Sequence, residues 1–115
     1  MFGFFNRKAD PSQVTPEDVQ SRQAAGEKLF ILDVREPAEY AEGHIAGSKL
    51  MPLSQISQRS AGLPREQPIV VVCHSGSRSG VAQSVLKRAG FTNVLNMRGG
   101  MLAWARSGLP VKRGR

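Results

Sequence analysis

The run Pro68-Ile69-Val70-Val71-Val72-Cys73 constrains this chain more than any other stretch. Its β-branched residues follow one another with no polar residue between them, so a strand built from them has no face fit for water. Leu29-Phe30-Ile31-Leu32-Asp33-Val34 has the same character. Strands of this kind belong to parallel sheets covered on both sides, and helical patterns lie between and around these two. Thr15-Pro16-Glu17-Asp18 is a helix start, with Thr15 as N-cap, Pro16 at the first helical position and acids in the first turn. The helix is expected to run to Ala25 and stop at Gly26. A short helix over 36–42 ends at Gly43, a brief strand covers 48–51, and a second short helix covers 54–60. Val81, Val85 and Leu86 mark one face of a helix that reaches Ala89 and ends at Gly90. Residues 93–96 form a further strand and 101–106 a last helix. The expected architecture is α/β, a mainly parallel central sheet with helices on both faces. In such sheets ligands bind beyond the carboxyl ends of the strands. Cys73 stands at one of those ends.

The 115 residues suffice for one compact domain with one core. Residues 1–11 read as a loose leader, 12–111 as the domain and 112–115 as a basic tail. No apolar run approaches the ~20 residues that a membrane span needs. The opening Met1-Phe2-Gly3-Phe4-Phe5 precedes Arg7 and Lys8, the reverse of a secretory signal, so the chain is expected in the cytoplasm. Phe2, Phe4 and Phe5 are candidates for contact with a membrane surface or a partner. The single cysteine excludes an internal disulfide and a zinc site built on cysteine pairs. His44 and His74 lie far apart without a clustered carboxylate, and no metal or organic cofactor is expected. A net charge of +7 and a pI near 10.5 suit anionic partners. The basic residues are dispersed, and one Trp and one Tyr are too few for a base-stacking platform, so nucleic acid is not expected.

The stretch Cys73-His74-Ser75-Gly76-Ser77-Arg78-Ser79-Gly80 joins a buried strand to a helix through small residues. A turn of this composition can curl so that successive backbone N–H groups point inward, an anion-binding nest at a helix N-terminus. The hydroxyls of Ser75, Ser77 and Ser79 add donors and Arg78 adds a fixed charge. A cysteine in this cradle is stabilised as thiolate. The competing reading is a tight strand–helix turn with a buried cysteine, which has no need of so many donors around a sulfur.

The loop resembles the active-site loop of rhodanese domains, in which a cysteine, a glycine and an arginine followed by serine have this spacing. Leu32-Asp33-Val34-Arg35-Glu36-Pro37-Ala38-Glu39-Tyr40 and Gly43-His44-Ile45-Ala46-Gly47-Ser48 resemble the family's two upstream segments. Gly99-Gly100-Met101-Leu102-Ala103-Trp104, with Gly108-Leu109-Pro110-Val111, is similar to its closing segment. Four segments in order cover nearly the whole chain and identify 12–111 as a rhodanese-like domain. A phosphatase branch of that family places five residues between cysteine and arginine. Here four intervene, which leaves room for a terminal sulfur and little for a phosphoryl group.

The resemblance implies a sulfurtransferase. The Cys73 thiolate takes the outer sulfur of a small anionic donor such as thiosulfate. The resulting persulfide passes it to a thiophilic acceptor: cyanide, a thiol or an acceptor protein. Cys73 is the catalytic residue, and His74, Ser75, Gly76, Ser77, Arg78, Ser79 and Arg35 are candidates for substrate binding. Arg78 is expected to bind the donor oxyanion or support the thiolate, its alternative being a salt bridge to a neighbouring loop. Arg35 follows a strand end and faces the same crevice, or belongs with Asp33 to the structural frame. His74 is expected at the rim of the site, His44 as a hydrogen-bonding residue of its own turn, and Trp104 in packing. Two other functions stay open: a sulfur-relay or redox partner using the same cysteine, and an interaction domain that keeps only the fold.

Overall fold

The computed structural model describes residues 10–115, so the phenylalanine-containing part of the leader lies outside the described residues. Five parallel strands form one sheet: β1 (Gln13–Val14), β2 (Phe30–Asp33), β3 (Lys49–Leu50), β4 (Ile69–Val72) and β5 (Val94–Met97). Their spatial order is β1-β5-β4-β2-β3. The helices are α1 (Pro16–Ala24), α2 (Pro37–Glu42), α3 (Ile56–Arg59), α4 (Ser77–Arg88) and α5 (Gly100–Arg106), with 3-10 turns at Leu53–Gln55 and Ser60–Gly62 flanking α3.

The two apolar runs become the paired central strands, with Phe30 to Asp33 in register with Ile69 to Val72. Side chains alternate along a strand, so each run feeds two cores. Ile69, Val71 and Cys73 join Leu32, Ile56, Ala82 and Leu86 on one side of the sheet. Val70 and Val72 join Val19, Ile31, Met101 and Trp104 on the other. Trp104 is buried in this second core, its indole N–H donating to the Pro110 carbonyl at 2.9 Å. No helix among the described residues is long and apolar enough to cross a membrane.

Helix α1 begins as its residues dictate. The Thr15 hydroxyl accepts the Asp18 N–H at 3.0 Å, the Asp18 carboxylate accepts the Thr15 N–H in return, and Pro16 opens the first turn. Three features differ from the sequence-based expectation. Strand β1 lies at the sheet edge beside β5, pairing Gln13 with Asn96 and Val14 with Met97. Val81 is 54% exposed, whereas Leu86 is buried and Val85 packs half-buried against the core as expected, and Ser79, Ala82 and Gln83 complete the buried face of α4. Gln83 is held there because its amide donates to the carbonyls of Ser12 and Val94. The third feature is the tail, whose terminal charges suit a loose, solvated end but whose backbone is tied down: Lys112 and His44 exchange N–H···O bonds, and the Gly114 N–H donates to the Ala41 carbonyl.

Candidate active site

Strand β4 ends at Val72, and Cys73 follows at the point where the chain turns toward α4. Glycine suits position 76, whose φ of 109° lies in the left-handed region that side chains rarely adopt. This conformation aims the Gly76 N–H at the Cys73 sulfur, 3.0 Å away. From the first turn of α4 the Ser79 hydroxyl reaches the same sulfur at 3.3 Å. The nucleophile candidate is therefore buried and yet surrounded by donors. Burial pushes the Cys73 thiol up. The Ser79 hydroxyl and the backbone N–H groups of Ser79, Gly76 and Ser75 outweigh it, holding the thiol below its ordinary range.

A second loop supports the first. The glycines at 99 and 100 have φ of 76° and 58°, and a Cβ on Gly100 would lie 2.6 Å from the His74 carbonyl oxygen. Through this close approach the first turn of α5 donates to the loop carbonyls, Met101 N–H to Cys73 at 2.8 Å and Leu102 N–H to His74 at 3.0 Å. The carbonyls of residues 73 and 74 are thus held from α5, while the Gly76 N–H and the Ser79 hydroxyl serve the sulfur.

The two candidate arginines are both engaged. Arg78 makes a two-pronged bond to Glu39 of α2, each N···O distance being 2.8 Å, with about a third of each side chain exposed. The guanidinium holds the Glu39 carboxyl down at about 2. Arg78 remains within electrostatic reach of Cys73, and both acts raise its own pKa, the bond to Glu39 more than the sulfur. Arg35 is buried against Asp33, with N···O distances of 2.8 and 2.7 Å, and donates to the Gly43 carbonyl at 2.8 Å. It lines the same groove as His74 and Glu39, but its named bonds go to the frame. His74, Ser75 and Ser77 are exposed at the rim. His44 stacks on Tyr40 with ring centroids 3.7 Å apart, and its Nδ1 lies 2.7 Å from the Tyr40 carbonyl oxygen.

Two residues of the site were not singled out as functional in the sequence. Glu39 was visible only as one acid of a short helix. Asn96 was a signal that could have been read, a polar residue inside an apolar strand. Its side chain bonds both the Ser79 hydroxyl, at 2.6 Å, and the Gly76 carbonyl, at 3.2 Å.

A parallel α/β sheet with a donor-ringed cysteine at the carboxyl end of its central strand places the chain among the α/β proteins that hold their sites at strand ends. Residues 15–107 match the rhodanese-like domain family. The chain belongs to that family. It is 38% identical over 100 residues to a protein named sulfurtransferase from Allochromatium vinosum, an alignment covering 87% of this chain and 94% of that one. It is 36% identical over 104 residues to a probable adenylyltransferase/sulfurtransferase from Mycobacterium tuberculosis, where the match covers 89% of this chain and spans only 26% of the longer protein. Among solved structures, it resembles a rhodanese-related protein from Thermoplasma volcanium, with a TM-score of 0.80 and 32% identity over 87% of this chain and 96% of that one.

Proposed function

We propose that this protein is a sulfurtransferase that carries a sulfane sulfur as a persulfide on Cys73. The observation that carries the reading is the ring of donors around the Cys73 sulfur, from the Gly76 N–H at 3.0 Å and the Ser79 hydroxyl at 3.3 Å. In the first step the Cys73 thiolate attacks the outer sulfur of thiosulfate. The new S–S bond forms as the old one breaks, and sulfite leaves with the bonding pair. The negative charge then rests on the outer sulfur of the persulfide, where loop N–H groups and α4 favour it. In the second step cyanide or a thiolate attacks that outer sulfur and the Cys73 thiolate is regenerated. Both steps conserve charge and need no redox partner, and two alternating half-reactions predict ping-pong kinetics.

One observation favours a second reading, in which the donor is another protein's persulfide or the acceptor another protein's thiol. Arg78, the natural anchor for a small dianion, is occupied by Glu39. A donor that brings its own binding surface does not need that anchor. Intact-mass measurement after thiosulfate treatment, followed by cyanide and thiocyanate detection, tests the first reading. Gain of one sulfur atom, absent in Cys73→Ser, is the expected result. If Cys73 accepts no sulfur from thiosulfate or from any small persulfide donor, sulfur transfer with small donors fails; loading by a protein persulfide alone selects the relay.

A further inference from the structure

Asn96 sits within β5, almost fully buried, directly behind the catalytic loop. Its Nδ2 donates to the Gly76 carbonyl, an oxygen that can only accept, so the amide orientation is set and Oδ1 faces Ser79. The Ser79 oxygen lies 2.6 Å from Asn96 Oδ1 and 3.3 Å from the Cys73 sulfur. A serine hydroxyl has one proton, and it cannot serve both acceptors at once.

With Cys73 as thiol every group in the chain is satisfied. The S–H donates to Ser79, Ser79 donates to Asn96, and Asn96 donates to Gly76. When the sulfur loses its proton to solvent it becomes an acceptor only. The Ser79 hydroxyl then turns to the sulfur, and two oxygens, Ser79 Oγ and Asn96 Oδ1, are left facing each other without a proton between them. A short buried contact of that kind is unfavourable, so the amide holds back the empty thiolate. In the persulfide the charge moves to the outer sulfur and the Ser79 proton returns to Asn96.

We propose that Asn96 is a positioning residue that competes with the Cys73 sulfur for the Ser79 proton, so that it offsets part of the stabilisation the loop donors give the empty thiolate and leaves the thiol and persulfide forms unopposed. The catalytic consequence deepens the sulfur-carrier reading of Cys73 and rests on it, while the competition itself is a property of the resting protein. The charged neighbours are accounted for. Arg78 of α4 is neutralised by Glu39 of α2, the Asp33–Arg35 pair closes on itself at the end of β2, and His74 of the loop is exposed. Gly100 and Met101 of α5, which meet the loop, do not titrate.

The test is the pH dependence of Cys73 alkylation by iodoacetamide in the resting full chain, for wild type, Asn96→Ala, Ser79→Ala and the double variant. Removing the competing acceptor lowers the midpoint by about half a unit to one unit, the worth of one hydrogen bond. Ser79→Ala raises the midpoint, and adding Asn96→Ala to it changes nothing further. Were Asn96 only a prop for the loop, Asn96→Ala would loosen the Gly76 donor and raise the midpoint, and the effect would persist without Ser79. Either result overturns the proposal. Should Asn96→Ala not fold, Asn96→Asp takes its place: a carboxylate grips the Ser79 proton more firmly, and the midpoint rises less when Ser79 is alanine than when it is present. An equal rise in both backgrounds overturns the proposal. Failure of sulfur loading with these midpoint shifts intact would instead sink the sulfur-carrier reading and leave the competition standing.

Discussion

Arg78 and Glu39 show how one contact redirects a residue's role. The Glu39 carboxyl, held at about 2 by the guanidinium, stays ionised at every working pH, so the pair does not open by titration in the neutral range. With about a third of each partner exposed, the pair adds little to stability, about 0–1 kcal/mol. On the sulfurtransferase reading, its larger effect is to occupy the guanidinium of the cysteine loop. Glu39→Gln keeps an amide oxygen for the Glu36 N–H that Glu39 now accepts, and frees the guanidinium. The expected outcome is a KM for thiosulfate lower by about fivefold, the worth of roughly 1 kcal/mol, with the melting temperature nearly unchanged. Steady-state kinetics and a thermal melt check this. An unchanged KM would show that Arg78 serves the frame and not the donor. Cys73, Gly76 and Ser79 were legible in the sequence because a donor-rich strand–helix turn is local. Glu39 was not, because it meets Arg78 across 39 residues of chain; Asn96 left a trace as a polar residue in an apolar strand, but its bond to Gly76, 20 residues away, was not legible.

At the scale of elements, β2 and β4 were legible because a buried parallel strand has no polar alternation to hide it. Strand β1 was not, since two residues, one of them Gln13, carry no periodicity and become a strand only by pairing with β5. The face of α4 was legible at Val85 and Leu86 and not at its polar residues, for a related reason. Packing against β5 and the cysteine loop selects small and hydrogen-bonding residues, Ser79, Ala82 and Gln83, over the exposed Val81. The docking of α5 onto the loop is the sharpest element-level constraint, because it depends on Gly100 having no side chain. Gly100→Ala places a methyl group 2.6 Å from the His74 carbonyl oxygen at a φ of 58°. Left-handed strain of about 1–2 kcal/mol and overpacking of about 1–3 kcal/mol add to a loss of about 2–5 kcal/mol. Gly108→Ala is the control: its φ is 72° and nothing lies within 4 Å of the added carbon, so only the strain of about 1–2 kcal/mol applies. Urea unfolding separates the two. Equal losses would mean that α5 yields without cost and that its contact with the loop is loose.

The whole molecule adds what no single contact supplies, a surplus of seven positive charges. Neither Arg35 nor Arg78 contributes much of that surplus locally, since each is paired with an acid. The excess therefore lies on the rest of the surface and acts over distance, on the approach of a donor more than on its final pose. At about 0.01 M ionic strength the screening length is roughly 30 Å, comparable to the domain itself, and at 0.15 M it is about 8 Å. Thiosulfate carries two negative charges, so its second-order loading of Cys73 is expected to slow by about three- to tenfold across that range. A neutral alkylating reagent at the same sulfur, read at constant pH, should slow far less, which separates steering from any change in the thiol. Glu39→Gln gives the local comparison. If the salt effect belongs to the whole surface, freeing Arg78 shifts the loading rate at both ionic strengths and leaves their ratio close to that of the wild type. If the ratio instead grows severalfold, the field that guides the donor is concentrated at Arg78, and the charge elsewhere on the surface serves solubility alone.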